Sequence, residues 1–117
     1  MALRDLSGAV DFGHLEAYTL HDAVVMEEVL HLFQHQCELW SPMLDVSHEG
    51  WRDAAHTIKG ASAGIGAGVL AAAAEAAERG DEAGAQGRLE RVRDAMNAAL
   101  MDVSAYLHAL HLRGLKG

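Results

Sequence analysis

Apolar residues recur along this chain in steps of three and four, and β-branched residues seldom alternate with polar ones over a strand-length window. Helices are therefore the expected elements throughout. Residues 12–18 predict a short N-terminal helix with Asp11 as its N-cap, and Asp22 is placed to cap a longer one beginning near Ala23. Along that second helix Met26, Val29, Leu30, Phe33, Cys37, Trp40 and Leu44 form one apolar stripe, which Pro42 should kink or end near Ser41. Ser47 is the expected cap of a third helix that starts at residues 49–51 and lasts until Gly64, Gly66 and Gly68 interrupt it. A fourth helix is expected near 69–79, alanine-rich, with Glu75, Glu78 and Arg79 on its polar side and Gly80 as its stop. After a loop over 81–87, the longest stripe follows: Leu89, Val92, Met96, Leu100, Val103, Leu107 and Leu110, ended by Gly114.

Four amphipathic helices joined by short connections bury their stripes most simply as an antiparallel bundle. The expectation is thus an all-α protein, an antiparallel four-helix bundle with a short additional N-terminal helix covering one end. At 117 residues the chain has the length of one domain, residues 1–117. Such an architecture hosts many unrelated activities, so function must be read from a site.

Composition narrows the partners. Seventeen acidic residues against nine basic ones give a formal charge of −8, so general attraction to a phosphate backbone is excluded and nucleic acid is not an expected partner. The longest stretch without polar side chains, residues 64–74, is too short to span a bilayer, and no membrane insertion is expected. Cys37 is the one cysteine and cannot form an internal disulfide; no signal-peptide pattern is read at the N-terminus, and a cytoplasmic location is expected.

The candidate chemistry lies on the third helix. Trp51, Ala54 or Ala55, Ile58, Ser62 and Ile65 make its expected buried edge. His56 stands two residues from Ile58, roughly 200° around the axis at about 100° per residue, and so faces away from the core. Arg52, Lys59, Gly60 and Ala63 share its stripe. Glycine inside a helix costs about 1 kcal/mol relative to alanine, so Gly60 requires a compensating gain. Space is one such gain: without a β-carbon one turn beyond His56, a bulky group on the imidazole or another protein's backbone can approach closely. Lys59, one of two lysines with Lys116, supplies a flexible point charge for an anion held there. Two other readings stay open on residues alone. Glu28, His31 and His35 have the spacing of helical metal ligands, although the Glu-x-x-His pair occurs once. A helical interaction module with an inert His56 is equally compatible with the acidic composition.

The run His56-Thr57-Ile58-Lys59-Gly60-Ala61-Ser62-Ala63-Gly64-Ile65-Gly66-Ala67 resembles the signature of histidine-containing phosphotransfer (HPt) domains. The similarity continues through Leu70, Ala74, Ala77 and Glu78; it is strong over residues 51–79 and pattern-level elsewhere, as at Leu30 and Phe33. The connection from Phe33 to His56 is shorter than in many relatives, and Pro42 falls inside it. The resemblance implies a phosphocarrier of a two-component phosphorelay, with no ATP site and no intrinsic cofactor. Its phosphoacceptor is His56, with Lys59 as anion partner and Gly60 as steric allowance. The implied partners are response-regulator receiver domains and a sensor histidine kinase, with Mg2+ belonging to the receiver. Glu78 matches a position whose side chain, in some members, accepts a hydrogen bond from the second imidazole nitrogen; that would hold Nε2 as the nucleophile. Arg52, Ala63 and Gly64 are the expected docking contributors.

Overall fold

The computed structural model describes residues 8–116, so the extreme N-terminus read for a targeting pattern lies outside the described residues. Five α-helices follow one another, α1 (Phe12–Tyr18), α2 (Ala23–Trp40), α3 (Trp51–Ile65), α4 (Gly68–Arg79) and α5 (Ala85–Lys116), with no strand among the described residues. Packing of α2 on α3, α3 on α4, α4 on α5 and α5 back on α2 closes a four-helix ring, and α1 covers one end against α3.

Both predicted aspartate caps are present. Asp11 accepts the His14 N–H, and Asp22 accepts those of Val24 and Val25, satisfying donors that the first helical turn leaves unpaired. Helix α2 ends at Trp40, and Pro42 sits in a 3-10 turn, Ser41–Met43, where its missing N–H costs nothing. Ser47 does not cap α3. Its N–H and hydroxyl are both turned back onto the Asp45 carboxylate, at 2.8 and 2.6 Å, and α3 starts from Gly50 without a side-chain cap. Ser47 stands three residues before that cap position, held in a local turn by Asp45.

At its other end α3 closes with Gly66 in the left-handed region, φ 83°, and the Ala67 N–H reaching back to Ser62, a Schellman ending. Glycine is obligatory there on two counts. A β-carbon would lie 2.6 Å from the Asp11 carbonyl oxygen, which faces this turn because the Asp11 N–H donates to the Gly66 carbonyl. This one turn thus sets α4 back against α3 and docks the start of α1.

The inner faces of α3 and α4 are built largely from small side chains, Ala54, Ala55 and Ser62 against Ala74 and Ala77, so the two backbones approach closely. Helix α5 starts earlier than expected. Residues 81–87 are not one loop: a 3-10 turn over Glu82–Gly84 leads into the helix at Ala85, whose side chain is already buried, and Gly87 lies within α5. Nor does Gly114 end α5, which continues to Lys116. Its buried seam is Leu89, Val92, Met96, Ala99, Val103, Tyr106 and Leu110, while Leu100 and Leu107 are only partly buried at its edge. Strict alternation of three- and four-residue steps keeps that seam on the bundle axis. At roughly 1.5 Å per residue the 32-residue helix accounts for the 52 Å long dimension of the molecule.

Tyr106 also fixes α1. Its ring stacks on Phe12 at 4.1 Å and its hydroxyl donates to the Glu16 carboxylate. Burial, reinforced by that carboxylate, pushes the phenol up to about 12, so it remains a donor across the physiological range.

Candidate functional site

On α3 the buried edge is the expected one, with Trp51, Ala54, Ala55, Ile58, Ser62 and Ile65 all turned inward. Ser62 satisfies its buried hydroxyl on the Ile58 carbonyl one turn back. The opposite face therefore carries His56 into solvent, with 64% of its side chain exposed.

The ring is not loose. His56 Nδ1 lies 2.7 Å from Glu78 Oε2, and Glu78 Oε1 lies 2.9 Å from Lys59 Nζ, so one carboxylate from α4 holds both groups of α3. Two hydrogen bonds from α3 thus reach a single α4 side chain, the partner that sequence spacing on either helix alone does not specify. Hydrogen bonding from Lys59 and, more weakly, from His56 lowers the Glu78 carboxyl below the ordinary carboxylate range, against a desolvation that raises it. An ionised carboxylate only accepts, so the proton of that contact resides on Nδ1 and the lone pair of the imidazole on Nε2. Whenever the ring is neutral, this arrangement leaves the lone pair on an oriented, exposed Nε2, the atom that can act as nucleophile.

Gly60, one turn beyond, is exposed, and a β-carbon there would meet nothing within 4 Å. Neither crowding nor backbone conformation inside the protein accounts for this glycine, in contrast to Gly66. Gly64 is equally open, and Ala63 beside it is exposed. Arg52 lies elsewhere than a free docking cation: its guanidinium covers the Trp51 ring at 4.4 Å and donates to the Glu78 backbone carbonyl at 2.5 Å.

A groove runs alongside, walled by Val29, Leu32 and Gln36 of α2, Gly60 and Gly64 of α3, and Tyr18 of α1. Sequence reasoning left this α2 wall unnamed. The available signal was the width of the α2 stripe: Val25, Leu32 and Leu39 extend it beyond the core positions, and all three are exposed.

The metal-ligand spacing does not build a site. Glu28, His31 and His35 are exposed on α2, His31 is engaged by Gln34 and Glu27, and among the described residues no group of three His, Cys, Asp or Glu side chains converges. Among those residues, too, no helix is long and apolar enough to cross a membrane.

The family model described as Hpt domain matches residues 26–102. Among solved structures the chain is similar to the histidine phosphotransferase ShpA from Caulobacter crescentus, with 50% sequence identity, 92% of this chain and 99% of that chain covered, and a TM-score of 0.82. No curated protein matches.

Proposed function

The chain belongs to the Hpt domain family, histidine phosphotransfer intermediates of phosphorelays that have no ATP site or intrinsic cofactor of their own, and on that premise we propose that His56 is its phosphoacceptor. The observation that carries this reading is the 2.7 Å contact between Nδ1 of a largely exposed His56 and the Glu78 carboxylate, next to open space over Gly60.

In the forward step Nε2 attacks the phosphorus of a receiver's aspartyl phosphate. The N–P bond forms as the acyl P–O bond breaks, and the aspartate leaves as a carboxylate. The ring then carries Nδ1–H and a positive charge that the Glu78 carboxylate stabilises in place. Return of the phosphoryl group to another receiver reverses these events. Mg2+ and the acidic cluster that bind it are assigned to the receiver; this chain supplies the nucleophile, its orientation and a docking face. Lys59 shares its ammonium between Glu78 and the incoming phosphoryl oxygens, a short swing for a flexible side chain. Gly60 leaves room for the phosphoryl group and the approaching receiver, and Ala63, Gly64 and the apolar wall of α2 extend a smooth surface for it, with Arg52 at the rim.

Family membership implies kinase and receiver partners; the proposal is that at least one receiver exchanges phosphate with His56 in the cytoplasm, and that residues 1–117 act as one domain. Incubation with radiolabelled phospho-receivers of the source organism tests it. Acid-labile, base-stable label on the wild type and none on His56→Gln is the expected result. Label retained on His56→Gln would overturn the assignment.

A further inference from the structure

The position of Glu78 beside His56 depends on where α4 ends relative to α3, and one side chain ties those two levels together. Arg52 lies on α3, one turn before His56. Its guanidinium donates to the backbone carbonyl of Glu78, at 2.5 Å, while its central carbon lies 4.4 Å over the Trp51 ring, which is itself buried. That carbonyl belongs to the last turn of α4, where the Gly80 N–H closes the helix on Ala76 and the C=O groups beyond it lack a following helical turn to supply a donor. A cation is also favoured there by the helix dipole. The same residue whose carboxylate grips Nδ1 is therefore held by its main chain from the helix that carries the imidazole.

We propose that Arg52 is a positioning residue for phosphoryl transfer. By fixing the end of α4 against α3, it sets the separation between the Glu78 carboxylate and the His56 ring, and so the tautomer and aim of the nucleophile. The stacking on Trp51 restrains the guanidinium, and its fork geometry lets one N–H point at the carbonyl. This rests on His56 as phosphoacceptor but makes a separate claim, because the tautomer can be read without any phosphate present.

The test uses Arg52→Gln and Arg52→Lys, each alone and in a Glu78→Gln background. Nitrogen-15 spectra of the His56 ring report the Nδ1–H population, and phospho-receiver transfer is followed as a function of pH with kcat and KM separated. Arg52→Gln is expected to lower the Nδ1–H population and to reduce kcat by about tenfold, the lower end of the cost of losing a residue that orients a metal-bound histidine. Arg52→Lys should restore part of both, since an ammonium can still donate to the carbonyl. In the Glu78→Gln background the Arg52 changes should add nothing further. Wild-type tautomer populations in a folded Arg52→Gln protein would overturn the proposal, whatever its melting temperature. So would a rise in KM alone, the signature of a docking cation. If the wild type accepts no phosphate from any receiver, the phosphoacceptor assignment fails while the ring spectra still decide the role of Arg52.

Discussion

Replacing Gly60 by alanine separates the demands of folding from those of phosphoryl transfer. The residue lies inside α3, exposed, and a methyl group at its Cα would meet nothing within 4 Å beyond the adjacent backbone of its own helix. Alanine should therefore adopt the existing backbone without strain and remove conformational entropy from the unfolded chain. The expected gain is about 1 kcal/mol of stability, or a melting temperature higher by roughly 4 °C for a domain of this size. Transfer should move in the opposite direction. The methyl group would stand one turn from the His56 ring, in the space through which the aspartyl phosphate must reach Nε2. A displacement of the reacting atoms by about 1 Å is enough to slow a reaction by roughly a hundredfold. Thermal denaturation followed by circular dichroism gives the first quantity, and the initial rate of label transfer gives the second. Gly60→Leu should slow transfer further at similar stability. A destabilised Gly60→Ala protein would show that the fold itself needs this glycine. A stabilised one that, like Gly60→Leu, transfers at the wild-type rate would show that the space is not used.

Gly66→Ala should do the reverse, costing about 2 kcal/mol or more from its left-handed backbone and from a β-carbon set 2.6 Å from the Asp11 carbonyl oxygen. Urea midpoints would measure this, and an unchanged midpoint would remove the turn from the account of α1 docking. The depressed Glu78 carboxyl predicts a pH signature. A group whose folded pKa is below its unfolded value contributes stability that is present above the unfolded value, about 4.3 for glutamate, and is lost as pH falls through the folded one. The stability difference between wild type and Glu78→Gln should accordingly shrink on acidification below that range, and parallel pH profiles would contradict it. Burial pushes the Cys37 thiol up to about 11, so at neutral pH it should resist alkylation until the bundle opens. Rapid modification of the native protein would refute its placement in the core.

Features set by local interactions were legible in the sequence, and those set by long-range packing were not. Helix existence, the Asp11 and Asp22 caps, the break at Pro42 and the orientation of His56 all depend on residues a few positions apart, where the repeat of the α-helix alone sets which side chains share a face. The Schellman ending at Gly66 is of the same kind, since only glycine readily takes that backbone conformation. Ser47 failed as a cap because α3 starts at Trp51 with Gly50 in the cap position, three residues beyond it, while Asp45 holds the Ser47 N–H and hydroxyl in a local turn. In α5 the large leucines 100 and 107 drew the predicted stripe away from Ala99 and Tyr106; side-chain size is a poor guide where the neighbouring helix admits alanine and α1 supplies a stacking partner for tyrosine.

The amino-acid order alone was enough for an oriented histidine with a lysine and an unexplained glycine on one helix face, because all three belong to the same few turns of backbone. Glu78 as an acceptor for His56 came from the family resemblance, and nothing in the sequence said that the same carboxylate also holds Lys59, that Arg52 is occupied by the end of α4, or that α2 furnishes the wall of a groove. Those contacts join residues about twenty or more positions apart, and their distances follow from how closely the alanine faces of α3 and α4 pack. Tertiary packing converts a reactive side chain into an aimed one.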